Sequence, residues 1–335
     1  MQTARLWRSL GHHDTQGRFR IDGVTGPDEY SAIADNNVYT NLMAQQNLQA
    51  AADAVARHPD RASQLGVVET EPMAWHAAAE AMFIPYDEVL GVHPQSEGFT
   101  THQVWNFADT RAESYPLLLH APYFDLYRKQ VVKQADLVLA MHLRGDAFTQ
   151  EEKARNFAYY EALTVRDSSL SACTQAVIAA EVGHLDLAYD YLGEATLMDL
   201  DDLEHNTRDG LHIASLAGAW TALVFGFGGM RNDHGILDFS PRLPADINRL
   251  AFTVRFQQRC LRVEVTHTDA CYTLVYGESL DISHHGDAIT VRAGEPLIRP
   301  LAPISTTLET PSQPPGRAPV RRGARRPAPS PPASD

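Results

Sequence analysis

The sequence predicts a mainly α protein, an array of helices followed by a small antiparallel β-sheet domain. Up to about residue 229, apolar residues recur at helical spacing in segments rich in Ala, Leu, Met and Gln. Beyond Gly228-Gly229 the period shortens, and Leu261, Val263 and Val265 alternate with Arg262, Glu264 and Thr266, as a half-buried strand requires. From Thr306 onward come eight prolines and five arginines with almost no large apolar side chain. Such a segment cannot bury enough surface to offset the entropy of ordering it. The chain therefore divides into 1–229 (helical), 230–305 (sheet) and 306–335 (a disordered basic tail).

The helices follow in order. Residues 36–58 lack internal Gly or Pro, have Asp35 or Asn36 as cap, and stop at Pro59. Residues 71–83 open with Pro72 and end before Pro85. Residues 125–144, with Leu126, Val131, Leu137, Val138 and Met141 as apolar positions, read as one long helix closed by Gly145. Thr149 and Glu152 form a capping box for the next helix. Helices over 168–182, 185–197 and 211–225 complete the set, and their short links favour antiparallel neighbours. Strands are expected over 249–256, 259–267, 271–276 and 288–292, with a hairpin turn at His284-His285-Gly286-Asp287.

Composition excludes several classes. Hydrophobic residues at 44% and charged residues at 21% are an ordinary globular balance. A net charge of −14 argues against a nucleic-acid or anionic-membrane surface. No apolar run reaches membrane-helix length and no signal-peptide order opens the chain. Three cysteines, Cys173, Cys260 and Cys271, show no disulfide framework or metal spacing. A cytoplasmic location is expected.

Gly26-Pro27-Asp28-Glu29-Tyr30 places two carboxylates on a turn ahead of a strong helix. A carboxylate held on a loop over a cavity can serve as a general acid, and a solvated loop acid is the other reading. Lys133 is one of three lysines, with Lys129 and Lys153, and is spaced to face Leu137 and Met141 on the expected helix. It reads as a snorkelling lysine or as a ligand group. Trp7, Trp75, Trp105 and Trp220 suit core packing or stacking on a ligand ring.

Five ordered blocks carry a family resemblance. They are Gly26-Pro27-Asp28-Glu29-Tyr30 with Asp35-Asn36-Asn37 and its continuation to Met43, then Gln95-Ser96-Glu97-Gly98-Phe99, then Lys133-Gln134-Ala135-Asp136. Arg166-Asp167-Ser168-Ser169-Leu170-Ser171 and Gly210-Leu211-His212-Ile213-Ala214-Ser215 complete them. The chain resembles the maltose, trehalose and kojibiose phosphorylases, glycoside hydrolase family sixty-five. The resemblance implies part of an (α/α)6 toroid barrel followed by the small sheet.

It also implies inverting phosphorolysis of an α-linked glucose disaccharide to β-glucose 1-phosphate, with Glu29 as general acid. Phosphate is already anionic and needs no carboxylate base to activate it. By the resemblance, Lys133 and Gln134 bind the non-reducing glucose and Glu97 lies near the acceptor sugar. Ser168, Ser169, Gly210, His212 and Ser215 hold phosphate, which is the co-substrate, and no cofactor or metal is needed. The helix starts at Ser168 and at Gly210–His212 are physically reasonable anion sites. Disaccharide and phosphate are the expected partners, with no nucleic acid and no membrane, and a homodimer is compatible with the full-length enzyme.

The catalytic block begins about twenty residues from Met1, and about seven helices are read where a closed barrel needs twelve. The chain is therefore expected to be an N-terminally truncated form. Two other readings stay open: a trehalase-like hydrolase of the same fold in which Glu204 activates water, and an inactive sugar-binding or interaction fragment.

Overall fold

The computed structural model describes residues 1–233, 235–303 and 309–321. It opens with α1 (Gln2–Leu10), a short ribbon of β1 (His12–His13) and β2 (Phe19–Arg20), α2 (Val38–Arg57), α3 (Pro59–Gln64) and α4 (Thr70–Glu80). The middle holds β3 (Gln103–Val104), α5 (Tyr123–Leu126), β4 (Lys129–Gln130) and α6 (Asp136–Leu143). Then come α7 (Gln150–Glu161), α8 (Ser171–Glu181), α9 (Leu185–Leu197) and α10 (Ile213–Thr221), which runs on into a π-helical turn at Ala222–Phe227. Among the described residues no helix is long and apolar enough to cross a membrane.

Local chemistry explains most boundaries. Asn37, not Asp35 or Asn36, caps α2 by accepting from the Thr40 N–H at 2.9 Å. Asn36 is held at φ 49°, outside the extended geometry of a cap. The capping box at α7 forms as expected, with Thr149 Oγ1 accepting from Glu152 N–H and Glu152 Oε2 from Thr149 N–H. Ser168 caps nothing, because α8 starts three residues later.

The long helix expected over 125–144 does not exist. Val132 exchanges backbone hydrogen bonds with 163–165, through Val132 N–H to Leu163 C=O at 3.1 Å and Val165 N–H to Val132 C=O at 3.0 Å. The Lys133 N–H donates to the Asp28 carboxylate at 2.8 Å. Partners far along the chain take the backbone groups a helix would have used. Lys133 therefore sits on an irregular segment ahead of α6, and its spacing to Leu137 and Met141 carries no meaning.

α8 is the hub of the helical layer, buried along nearly its whole length and built from small residues. A Cβ at Gly218 of α10 would fall 2.6 Å from Cys173 of α8, and one at Gly226 would fall 3.3 Å from Val177 Cα. Small residues set these helix spacings. α10 turns Ser215 and Gly218 inward and leaves Ile213, Leu216 and Trp220 exposed.

The remainder forms two four-stranded sheets from β5 (Met230–Asp233), β6 (Ile236–Phe239), β7 (Leu250–Phe256), β8 (Arg259–Val265), β9 (Asp269–Tyr276), β10 (Ser279–His284), β11 (Asp287–Arg292) and β12 (Leu297–Pro300). Their orders are β11-β10-β6-β5 and β12-β9-β8-β7. The pairing of β6 with β10 is parallel, so the first sheet is mixed where the sequence predicts antiparallel strands throughout. Phe239 packs on Phe252 and Tyr272 between the sheets, and one core runs from the helices into this domain.

Residues 309–321 correct the expectation of a tail disordered from 306. Gln313 donates to the buried Glu161 at 2.7 Å and Arg317 to the buried Asp167 at 2.6 Å. Donors to buried carboxylates order a segment that lacks apolar bulk. The rest of the expected tail, 306–308 and 322–335, lies outside the described residues, as do 304 and 305 at the end of the sheet domain.

Candidate active site

Residues 21–37 form a loop pinched at its neck, where Val24 and Ala34 exchange hydrogen bonds at 3.0 and 2.8 Å. Gly26 lets it approach α6: a Cβ there would lie 2.1 Å from Asp136 Oδ2 and 2.7 Å from Asn37 Nδ2. At the tip, Glu29 has a half-exposed side chain, 54% accessible, whose Oε2 forms an ion pair with Lys133 Nζ. Tyr123 OH donates to the Glu29 carbonyl at 2.5 Å.

Behind Glu29 stands a buried carboxylate pair. Asp28 N–H donates to Asp136 Oδ1 at 2.5 Å, and Asn37 Nδ2 donates to Asp136 Oδ2 at 2.7 Å. Asp28 Oδ1 accepts from Lys133 N–H, and its Oδ2 accepts from Gln95 Nε2 at 2.9 Å. One carboxylate thus fixes the backbone of Lys133 next to the residue that carries the acid. Burial pushes the Asp28 carboxyl up to about 6, against hydrogen bonds from Gln95 and the Lys133 backbone that pull it down. Burial, then the charge of Asp28, raises the Asp136 carboxyl well above the usual range.

The sequence-predicted residues divide into two groups. Contacts bring Glu29, Lys133, Gln134 and Ser168 together. Gln134 Nε2 donates to the Pro27 carbonyl at 2.6 Å, and Ser168 Oγ donates to Gln134 Oε1 at 2.6 Å. Glu97 lies at the base of the loop, held by Arg20 at 2.5 Å and by Asn36 Nδ2 at 3.0 Å. The Arg20 bond lowers its carboxyl, with burial opposing.

His212 caps α10 and is fixed by Asp199, 2.6 Å from Nδ1 and 2.9 Å from its N–H. Gly210 precedes it at φ 137°. Ser215 Oγ is buried and donates to the Ala195 carbonyl at 3.4 Å, which commits it to α9–α10 packing. Ser169 is half-buried in the turn before α8.

Glu204 lies within electrostatic reach of Arg317, Asp167, Glu194 and His212, and burial raises its carboxyl. Arg166, Glu194, Glu204 and Arg317 line a cavity of about 180 Å³ there. Of the tryptophans, Trp75 is core, Trp7 and Trp105 pack against apolar clusters, and Trp220 is half-exposed beside Phe225. Among the described residues no three His, Cys, Asp or Glu side chains gather as a metal site.

Sequence reading missed Asp28, Asp136, Gln95 and Tyr30 as supports of the site. The available signal was an Asp inside the apolar run 135–141, which must be buried with partners.

The family model for the glycosyl hydrolase family 65 central catalytic domain matches residues 1–221, and that for the family's C-terminal domain matches 230–291. An uncharacterized glycosyl hydrolase of Mycobacterium tuberculosis is 57% identical over 317 residues, 94% of this chain and 40% of the relative. The α,α-trehalose phosphorylase of Geobacillus stearothermophilus is 42% identical over 305 residues, 89% of this chain and 40% of that protein. A solved structure from the human microbiome, assigned as a kojibiose phosphorylase, superposes with a TM-score of 0.80 at 28% identity, covering 90% of this chain and 45% of that one. The chain thus spans about 40% of the length of these curated relatives.

Proposed function

The chain belongs to glycosyl hydrolase family 65, and from that premise we propose that its site performs inverting phosphorolysis of an α-linked glucose disaccharide. Glu29 protonates the glycosidic oxygen while inorganic phosphate attacks the anomeric carbon from the opposite face. The C–O bond to the acceptor sugar breaks, the acceptor leaves carrying the proton, and β-glucose 1-phosphate forms. Lys133 and Gln134 hold hydroxyls of the non-reducing glucose. Ser168, Ser169 and the α10 start at Gly210–His212 hold phosphate. Ser215, by its burial, supports α10 from behind. The cytoplasm supplies the phosphate this reaction needs.

The observation that carries this reading is the convergence of Glu29, Lys133, Gln134 and Ser168 on one loop tip. The Lys133 ammonium, held beside Glu29 by Asp28, can serve a sugar hydroxyl and the acid's carboxyl in turn. The test offers trehalose, maltose and kojibiose with and without inorganic phosphate. Sugar should be consumed only with phosphate, and Glu29→Gln should reduce the rate by about 10²–10⁴. Near-normal turnover by Glu29→Gln would overturn the assignment.

A second reading, hydrolysis with Glu204 activating water, is favoured by its burial-raised carboxyl near His212 and by the hydrolase-named relative. Glucose release without phosphate, abolished by Glu204→Gln, would select it. Sugar binding without turnover would select the inactive binding fragment.

A further inference from the structure

We infer that the C-terminal strap, residues 309–321, is a brace for the catalytic loop, with Arg317 acting as a positioning residue for Glu29 through Asp167 and Tyr30. The inference rests on the reading of Glu29 as the acid. Arg317 Nη2 donates to Asp167 Oδ1 at 2.6 Å and its Nε donates to the Val165 carbonyl at 2.5 Å. The guanidinium lies 4.5 Å from the centroid of the Tyr115 ring, and the Arg317 carbonyl accepts from Arg166 Nη1.

Asp167 is 2% exposed, and its second oxygen accepts from Tyr30 OH at 2.5 Å and from Leu117 N–H at 2.9 Å. Tyr30 is fully buried with Leu117, Leu126, Val131 and Val165, and it is the residue next to Glu29. Among the described residues, Arg317 is the cation within ion-pair distance of this buried carboxylate. Without it the donors left to Asp167 among the described residues, Tyr30 OH and Leu117 N–H, are neutral, and the tyrosine that anchors the loop would hang on an uncompensated charge.

An arginine fits because one planar group reaches a carboxylate, a carbonyl and an aromatic face together, which a lysine cannot do. Gln313, bonded to Glu161, anchors the strap four residues earlier. Arg321 also belongs to the strap, but it pairs with the exposed Asp186 outside this path.

The test compares Arg317→Ala, Arg317→Lys and Arg321→Ala in the full chain. Amide hydrogen exchange of peptides covering 24–31 and 115–118 is read together with kcat and KM for the disaccharide. Arg317→Ala should speed exchange of both peptides by about tenfold or more while β7–β9 stay at wild-type rates. It should lower kcat by about tenfold with KM nearly unchanged, since orientation rather than binding is lost.

Arg317→Lys should recover part of both effects, and Arg321→Ala should show neither. Exchange gains confined to 309–321 would overturn the brace. Should Arg317→Ala fail to fold, Tyr30→Phe cuts the same link from the other end. It should loosen 24–31 and leave 309–321 unchanged, and wild-type exchange at 24–31 would again overturn the proposal. Absence of turnover in the wild-type chain, with the exchange coupling intact, would reject the phosphorolysis reading and leave the brace standing.

Discussion

Asp28 and Glu29 are neighbours with opposite environments, and that difference organises the site. Asp28 is fully buried and touches Asp136, Gln95 and the Lys133 backbone, whereas Glu29 faces solvent and the Lys133 ammonium. Because burial raises the Asp28 carboxyl to about 6, the folded chain holds a proton that the unfolded chain, near the ordinary 3.8, releases. Its contribution to stability is therefore fully present below about pH 4 and is lost as pH rises through 6, at a slope of at most about 1.4 kcal/mol per unit. In denaturant titrations, the stability advantage of the wild type over Asp28→Asn should shrink from pH 4 to 7. A gap that widens over that range would contradict the assignment. The lysine follows the same logic: it resembled a snorkelling residue on a helix, yet its backbone is held by a carboxylate 105 residues away. Nothing local in the sequence encodes that bond.

At the scale of elements, α8 shows how side-chain size sets the architecture. Gly218 of α10 lies on Cys173, so Gly218→Ala should cost about 1–3 kcal/mol through overpacking. The loss should appear as a lowered melting temperature, and Cys173→Gly in the same chain, which removes both the Cβ and the Sγ that the new methyl meets, should restore part of it. Equal losses in the single and double variants would show that the contact is not limiting. Legibility divides along the same lines. The helices α2, α7, α8 and α9 were readable because their composition and bounding residues are local signals, reinforced by side-chain caps at α2 and α7. The segment 127–135 was not, because long-range pairing overrode its helical composition. Strands such as β6 and β12, four residues each, carry too short a pattern to register. Of the site, Glu29, Lys133, Gln134 and Ser168 were legible through family blocks. The carboxylates beneath them were not, since buried polar supports are defined by partners rather than by motif. The strap was misread because composition measures apolar bulk and overlooks specific donors such as Arg317 and Gln313.

In the whole molecule, the helical layer and the sheets are joined by a common core and by an ionic hub at Glu181. Its carboxylate pairs with Lys153 of α7 at 2.6 Å and with Arg231 of β5, while Arg242 donates to the Glu181 carbonyl at 2.7 Å. Burial pushes the Glu181 carboxyl up, but Arg231 and Lys153 outweigh it and hold it at about 2. Its stabilisation is thus present above about pH 4.5 and lost as pH falls toward 2, the opposite direction to Asp28. Glu181→Gln should cost about 3–5 kcal/mol at neutral pH, because two buried cations lose their partner. A variant as stable as the wild type by denaturant unfolding would show that the hub does not couple the layers.

The central claim is that Glu29 acts alone as acid on one face while phosphate enters from the other. The side chain it pairs with is a lysine, and its neighbouring carboxylate Asp28 is fully buried. The most direct measurement is the anomeric configuration of the glucose 1-phosphate formed from an α-linked disaccharide, followed by proton NMR as product appears. The account predicts the β anomer as the first product. The α anomer, which requires a double displacement, would contradict it.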